Sequence, residues 1–271
     1  MKDYSFYLEG TNGKGVLLVH GLTGAPGEMK FVGKQLHKQG FTVYAPMLAG
    51  HCMDEKALVL TRYENWIDSL RTALDRFGPE ITEIHAAGIC VGGGLALYLA
   101  HLHPERLKSV VIYSATLNYD GWSSPWYYAL GPYGIPLVAR LPGIRNVGYK
   151  ENPPYGVKSD RVRHALIGDG SGIEGTLARF PLRSLHQNYR LNAALKKALP
   201  KMRVPTLLIH AREDDVSHPR NAYKIQKHHG GTCDVVLLED SYHLIHVDQE
   251  RRKTGQLTGD FFLAQGAVKH G

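Results

Sequence analysis

Five residues, Gly88-Ile89-Cys90-Val91-Gly92, constrain this chain more than any other stretch. The residues before them, Ile84-His85-Ala86-Ala87, read as a short buried strand, and Gly93-Gly94-Leu95-Ala96-Leu97-Tyr98-Leu99-Ala100 reads as a helix. A strand that turns so tightly into a helix leaves its apex residue, Cys90, in a strained backbone conformation. Side chains at 88 and 92 would collide with the neighbouring strand and helix, a physical reason for glycine at both. A thiol held at such an apex, in front of a helix N-terminus, is set up as a nucleophile. A cysteine that only fills core space would need no glycine frame.

Apolar, β-rich runs recur along the chain at 16–20, 41–45, 84–88, 109–113, 206–210 and 234–238. Continuous runs of this kind suit parallel strands covered on both faces. Helical patterns at 28–38, 63–76, 92–103, 221–228 and 248–263 lie between or after them. The alternation predicts an α/β fold, a doubly wound and mostly parallel sheet with right-handed crossovers.

On such a sheet the loops after successive strands carry the chemistry. The loop after 206–210 contains Arg212-Glu213-Asp214-Asp215, and Asp214 is the candidate carboxylate, with Asp215 its open alternative. The loop after the last strand contains Ser241-Tyr242-His243-Leu244-Ile245-His246; His243 is the candidate base and His246 the fallback. Histidine beside a cysteine takes its proton, and a carboxylate fixes the histidine tautomer. After the first long strand, His20-Gly21-Leu22-Thr23-Gly24 forms a loop whose glycines let backbone amides approach a carbonyl. The amides of Leu22 and Val91 are the expected oxyanion donors.

One connection, 117–203, is 87 residues long, far beyond an ordinary loop. It predicts a helical cap inserted in a core of 1–116 and 204–271. Its aromatic opening, 119–128, offers Trp122, Trp126 and Tyr127 as candidates for lining an acyl or aromatic-acid pocket. Gly168-Asp169-Gly170-Ser171-Gly172 reads as a hinge. From Arg140 to Arg203 there are thirteen Lys/Arg against four Asp/Glu, a local excess larger than the whole chain's net charge of +7. That stretch is either a solvated helical surface or an attractor for an anionic partner, such as coenzyme A or an acidic acyl carrier protein.

Other classes are disfavoured. No recognised nucleic-acid motif is present, and no run approaches the ~18 apolar residues of a membrane span. The start lacks the apolar run of a signal peptide. Cys52, Cys90 and Cys233 are widely spaced and odd in number, so a disulfide framework or zinc knuckle is not expected, and a reducing, cytoplasmic setting fits. The histidines show no ligand spacing, so neither a metal nor a cofactor is expected.

These residues together resemble the α/β-hydrolase superfamily, most closely its small bacterial carboxylesterases and monoglyceride-lipase-like members. The resemblance rests on 20–24, on Tyr44-Ala45-Pro46-Met47-Leu48-Ala49-Gly50-His51, on the elbow, on 211–214 and on 241–243, covering the core but not the insertion. It implies catalytic Cys90, Asp214 and His243, with Leu22 and Val91 as oxyanion donors. Cysteine departs from the usual serine; cysteine elbows are familiar in dienelactone hydrolases and polyhydroxyalkanoate synthases. Three functions follow. The first is hydrolysis of an ester or thioester through an acyl-cysteine. The second is transfer of an acyl group from a thioester to an alcohol or amine. The third is a non-catalytic binding module, disfavoured by the complete set of nucleophile, acid, base and oxyanion loop.

Overall fold

The computed structural model describes residues 2–138, 147–150, 153–167 and 173–266. The hinge expected at 168–172 lies outside the described residues. In chain order the strands are β1 (Phe6–Leu8), β2 (Lys14–Val19), β3 (Thr42–Ala45), β4 (Glu83–Ile89), β5 (Leu107–Tyr113), β6 (Gly148–Lys150), β7 (Arg179–Pro181), β8 (Thr206–Ala211) and β9 (Cys233–Leu238). The α-helices are α1 (Lys30–Lys38), α2 (Glu55–Leu60), α3 (Tyr63–Leu74), α4 (Val91–Leu102), α5 (Gly131–Val138), α6 (Asp160–Ile167), α7 (Leu182–Ala198), α8 (Arg220–His228) and α9 (Arg251–Gly266).

Seven strands form one sheet in the order β1-β3-β2-β4-β5-β8-β9. All neighbours run parallel except β1 on β3. This is the α/β-hydrolase arrangement, and the six apolar runs of the sequence are its six parallel strands. Val16, Leu17, Leu18, Val110, Val111 and Leu208 are fully buried, as strands covered on both faces require.

Topology places the site. The chain steps from β2 to β3 in one direction and from β4 to β5 in the other. Right-handed crossovers then put α1 and α4 on opposite faces. Helix α9 packs with α1, while α3 and α7 pack with α4. The order reverses between β2 and β4, so the loops after these strands diverge and open a crevice at their carboxyl ends. The Gly21–Gly24 loop and the elbow are those two loops.

The insertion holds α5, α6, α7 and the antiparallel pair β6–β7. Helix α7, the last of the insertion, begins at Leu182 directly after Pro181. It packs on α4 and α3, buries Leu185, Leu191 and Leu195, and donates from Asn192 Nδ2 to the carbonyls of Thr116 and Leu117. The last part of the 87-residue connection is thus a layer of the core.

Among the enclosed histidines are His20, His51, His85 and His246, none more than 2% exposed. Burial pushes His20 and His246 down to about 3, and His51 and His85 down to about 4. An unfolded chain protonates each near 6.5, whereas the folded chain holds them neutral, so the unfolded state binds more protons on acidification. Glu28, pushed up to about 7 by burial, acts in the opposite direction and offsets part of this. Stability should therefore decline as pH falls from about 6.5 towards 4.5, with Tm dropping by about 5–10 °C per pH unit. Calorimetric scans over that interval test this; a flat Tm would mean that these imidazoles already carry protons in the folded chain.

Candidate active site

Cys90 follows the last residue of β4 and caps α4, with φ 54° and ψ −117°. Its amide donates to Tyr113 O (2.9 Å) and its carbonyl accepts from Gly94 N (3.2 Å), so the strained residue is held from both sides. A side chain at Gly88 would overlap the Gly92 carbonyl, and one at Gly92 would overlap the carbonyls of Val19 and His20. The elbow is thus pressed against the end of β2, where the Gly21–Gly24 loop begins. Val91 opens α4, and its amide has no acceptor within the helix.

The Gly21–Gly24 loop is a turn closed by Gly24 N on Gly21 O (3.2 Å). Leu22 is buried within it. Its carbonyl meets His51 Nε2 at 2.8 Å, and His20 stands between Gly21 O (2.9 Å from Nδ1) and Leu48 N (3.4 Å from Nε2). The two imidazoles contact edge to face, 4.8 Å apart. The loop is thus fixed at the carbonyls of Gly21 and Leu22.

His243 lies on the loop after β9. Its Nδ1 is 2.9 Å and 3.0 Å from the two carboxylate oxygens of Asp214, and Cys90 is near enough to act on the imidazole. With Nδ1 occupied, Nε2 is the nitrogen that faces the thiol. Burial would lower the imidazole, but the Asp214 charge and hydrogen bond, with the Cys90 contact, raise it well above its ordinary value. Ser114 Oγ donates to the His243 carbonyl at 2.5 Å and fixes the loop.

Asp214 is a hub. Its carboxylate accepts the amides of Val216 (2.9 Å) and Ser217 (2.7 Å) besides His243. His210 Nε2 stands 3.1 Å from Asp214 Oδ2 and 2.7 Å from Ser217 O, two acceptors that require Nε2 to carry the proton. Burial alone would raise this carboxyl; the His243 charge and the hydrogen bonds from His210 and His243 hold it below the usual carboxylate range.

Asp215, the alternative left open by the sequence, has a different set of partners. It accepts the amides of Gly156 (3.0 Å) and His243 (3.2 Å), joining the insertion to the histidine loop. Asp248 does likewise, accepting the amides of Lys158 (2.8 Å), Ser159 (3.0 Å) and Tyr242 (2.9 Å). His246 stacks on Tyr113, and neither of its ring nitrogens has a hydrogen-bond partner.

An apolar cavity of about 320 Å³ lies under the insertion, walled by Tyr119, Tyr127, Tyr149, Ile135, Leu185 and Tyr189 among others. Tyr119 links it to the elbow: burial and the neighbouring Cys90 raise its hydroxyl well above the usual value, and Asn188 Nδ2 donates to it at 3.1 Å. Of the three aromatics expected in a pocket, Tyr127 lines the cavity. Trp122 and Trp126 do not. Trp122 bonds the Glu213 carbonyl (2.9 Å) and stacks edge-on against Tyr242, while Trp126 is 80% exposed. Clustering in sequence did not separate these three, because adjacent positions of a one-turn 3-10 helix (Trp126–Leu130) point to different sides. Tyr119 belongs to the aromatic stretch 119–128 without having been singled out in it, and His210 and Glu28 went unread because nothing in their local sequence marks them. Among the described residues no group of His, Cys, Asp or Glu could hold a metal ion, and no helix is long and apolar enough to cross a membrane.

Comparison with known proteins agrees with this architecture. A family model described as Hydrolase_4, serine aminopeptidase, matches residues 11–250. A thermostable monoacylglycerol lipase of Bacillus sp. (strain H-257) is 30% identical over 261 residues, covering 95% of this chain and 93% of that protein. A carboxylesterase of Bacillus subtilis (strain 168) is 27% identical over 241 residues, covering 88% and 87%. Among solved structures, the monoacylglycerol lipase of Paleococcus ferrophilus superposes with a TM-score of 0.81 at 17% identity, over 98% of this chain and 100% of that one, a likeness of fold.

The two adjacent aspartates predict separable phenotypes. Asp214→Asn should lower kcat by on the order of 10²-fold or more, because the imidazole loses its orienting partner. Asp215→Asn should lower Tm more than kcat, because it loosens the tie between the insertion and the histidine loop. Steady-state kinetics and melting curves on the pair check this; equal kinetic loss at both would reject the division.

Proposed function

Because this chain belongs to the Hydrolase_4 family of α/β-hydrolases, we propose that it hydrolyses carboxylic esters of apolar acyl groups through a covalent acyl-cysteine intermediate. The observation that carries this reading is Cys90 at a strained turn, close to an imidazole that is itself held by a buried carboxylate. The relatives that act on monoacylglycerols and carboxylic esters support the ester class, and the apolar cavity beside Tyr119 supports an aliphatic or aromatic acyl group.

In this mechanism His243 Nε2 takes the Cys90 proton as Sγ attacks the ester carbonyl. The negative charge that develops on oxygen is met by the amides of Leu22 and Val91, each worth about 3 kcal/mol in the transition state. Collapse of the tetrahedral intermediate breaks the C–O bond, and the imidazolium returns its proton to the leaving alkoxide. Water, deprotonated by His243, then attacks the thioester and releases the acid and the thiol. Asp214 holds the tautomer throughout and stabilises the imidazolium. The part of the insertion ahead of α7 serves as a lid over the acyl pocket, tied to the histidine loop through Asp215 and Asp248.

One observation favours a second reading, and it is Cys90 itself. An acyl-cysteine is a thioester, so exchange from a thioester donor such as acyl-coenzyme A or an acyl carrier protein is nearly balanced, and the acyl group stays activated towards an alcohol or amine.

Replacement of Cys90 tests both. Cys90→Ala should abolish turnover of a p-nitrophenyl ester while leaving Tm within a few degrees; retained activity sinks the acyl-cysteine mechanism. Intact-mass spectrometry after brief exposure to acyl thioesters and activated esters should give a Cys90-dependent adduct. Discharge by water supports the hydrolase, and faster discharge by an added alcohol or amine supports the transferase. Cys90→Ser should keep ester hydrolysis and lose transfer.

A further inference from the structure

We propose that Glu28 is the positioning residue of the oxyanion loop, its carboxylate anchoring Gly21 so that the Leu22 amide faces the reacting carbonyl. The inference rests on the acyl-enzyme reading above and adds a residue to it. Glu28 lies in the one-turn 3-10 helix Pro26–Met29, seven positions after Gly21, and its Oε1 accepts the Gly21 amide proton at 2.6 Å. That is among the shorter side chain-to-backbone bonds in this part of the molecule, and it has the strength of a charge-assisted contact when the carboxylate is ionised. The bond fixes the residue immediately before Leu22, where a small rotation would redirect the Leu22 amide.

A second observation is independent of the bond. A side chain at Gly24 would overlap the Glu28 carboxyl group, both oxygens and the carbon. Gly24 is not in the left-handed region, so its backbone does not need glycine; the carboxyl does. The loop is therefore gripped three ways: His51 on the Leu22 carbonyl, His20 at the Gly21 carbonyl, and Glu28 on the Gly21 amide. The histidines restrain the two carbonyls. Glu28 holds the Gly21 amide, in the peptide before Gly21, while His20 holds the Gly21 carbonyl, in the peptide that carries the Leu22 N–H; with the peptides on both sides of Gly21 restrained, that N–H has a defined direction. His243 is near enough for its charge to act on the Glu28 carboxyl, so the anchor stands beside the proposed catalytic histidine, away from the acyl pocket residues.

The test uses three single variants and one double variant of the whole chain, with p-nitrophenyl butyrate as substrate and Cys90→Ala as reference. Glu28→Ala should lower kcat on the order of tenfold or more with KM changed by less than about twofold, because the loss falls on the transition state and not on substrate binding. Glu28→Gln keeps an acceptor oxygen for Gly21 and should restore most of kcat. Gly24→Ala displaces the carboxyl and should reproduce the Glu28→Ala loss, but add little to it in the double variant. Wild-type kcat in both Glu28→Ala and Gly24→Ala overturns the proposal, as does full additivity of the two. So does a rise in KM with kcat intact, which would place Glu28 in substrate binding. If Glu28→Ala does not fold, Gly24→Ala and Glu28→Gln still decide. Should Cys90→Ala remain active, the acyl-enzyme reading fails on its own; should it be dead while the Glu28 and Gly24 variants are normal, only the anchor fails.

Discussion

Cys90 sits where an L-residue resists sitting, at φ 54° and ψ −117°, and most of the surrounding structure can be understood as what makes that conformation tolerable. A residue in such a region costs about 1–3 kcal/mol unless its neighbours over-determine it. Here they do. The Tyr113 carbonyl receives its amide, α4 starts on its carbonyl, and the bare backbones of Gly88 and Gly92 let strand, helix and the end of β2 close to contact. The strain and the position of the thiol are one feature: the turn that costs energy lifts Sγ out of the sheet and towards the imidazole.

From that turn the polar contacts run inward as a chain, each member holding the next. Cys90 meets His243, His243 meets Asp214, and Asp214 meets His210 and two backbone amides. A buried carboxylate with so many donors does not take the histidine's proton; it stays ionised and raises the imidazole instead. Asp215, one residue along, is turned outward from this chain and spends its two oxygens on backbone amides of the insertion and the histidine loop. Adjacent carboxylates thus serve unlike ends, one electrostatic and one mechanical. In the proposed mechanism the lid cannot shift without disturbing the loop that carries the base.

The fold was legible because its strands are doubly buried and therefore continuously apolar, a signal that needs no partner to be read. The six parallel strands fall within one or two residues of the runs that mark them. What escaped has short or partner-dependent signals. β1 is three residues long, half-exposed and paired antiparallel at the sheet edge, too brief for any period. Helix α7 starts after Pro181, and its first turns bury Ser184, Asn188 and Asn192, polar residues that blunt the apolar stripe. At the site, the elbow and the two loops were legible since topology puts successive strand ends side by side. The choice between Asp214 and Asp215 was not, because sequence gives both the same neighbours and only the direction of the turn separates them.

The same contrast explains Glu28 and His210. Each is a titratable residue whose neighbours in sequence suggest nothing, and each holds a group a few positions away along its own connection: Glu28 the Gly21 amide just after β2, His210 the Asp214 carboxylate just after β8. Neither lines the apolar cavity; each restrains a group of the candidate site, one on the amide side of the proposed oxyanion loop and one at the Asp214 carboxylate. Transition-state stabilisation by backbone amides demands that they be aimed before the charge arrives, and a turn of small residues, Gly21-Leu22-Thr23-Gly24, has little packing of its own to aim them. The stiffness has to be imported from buried polar side chains. That requirement accounts for the polar groups crowding the loop: His20 and His51 are buried against it and Glu28 is partly buried beside it.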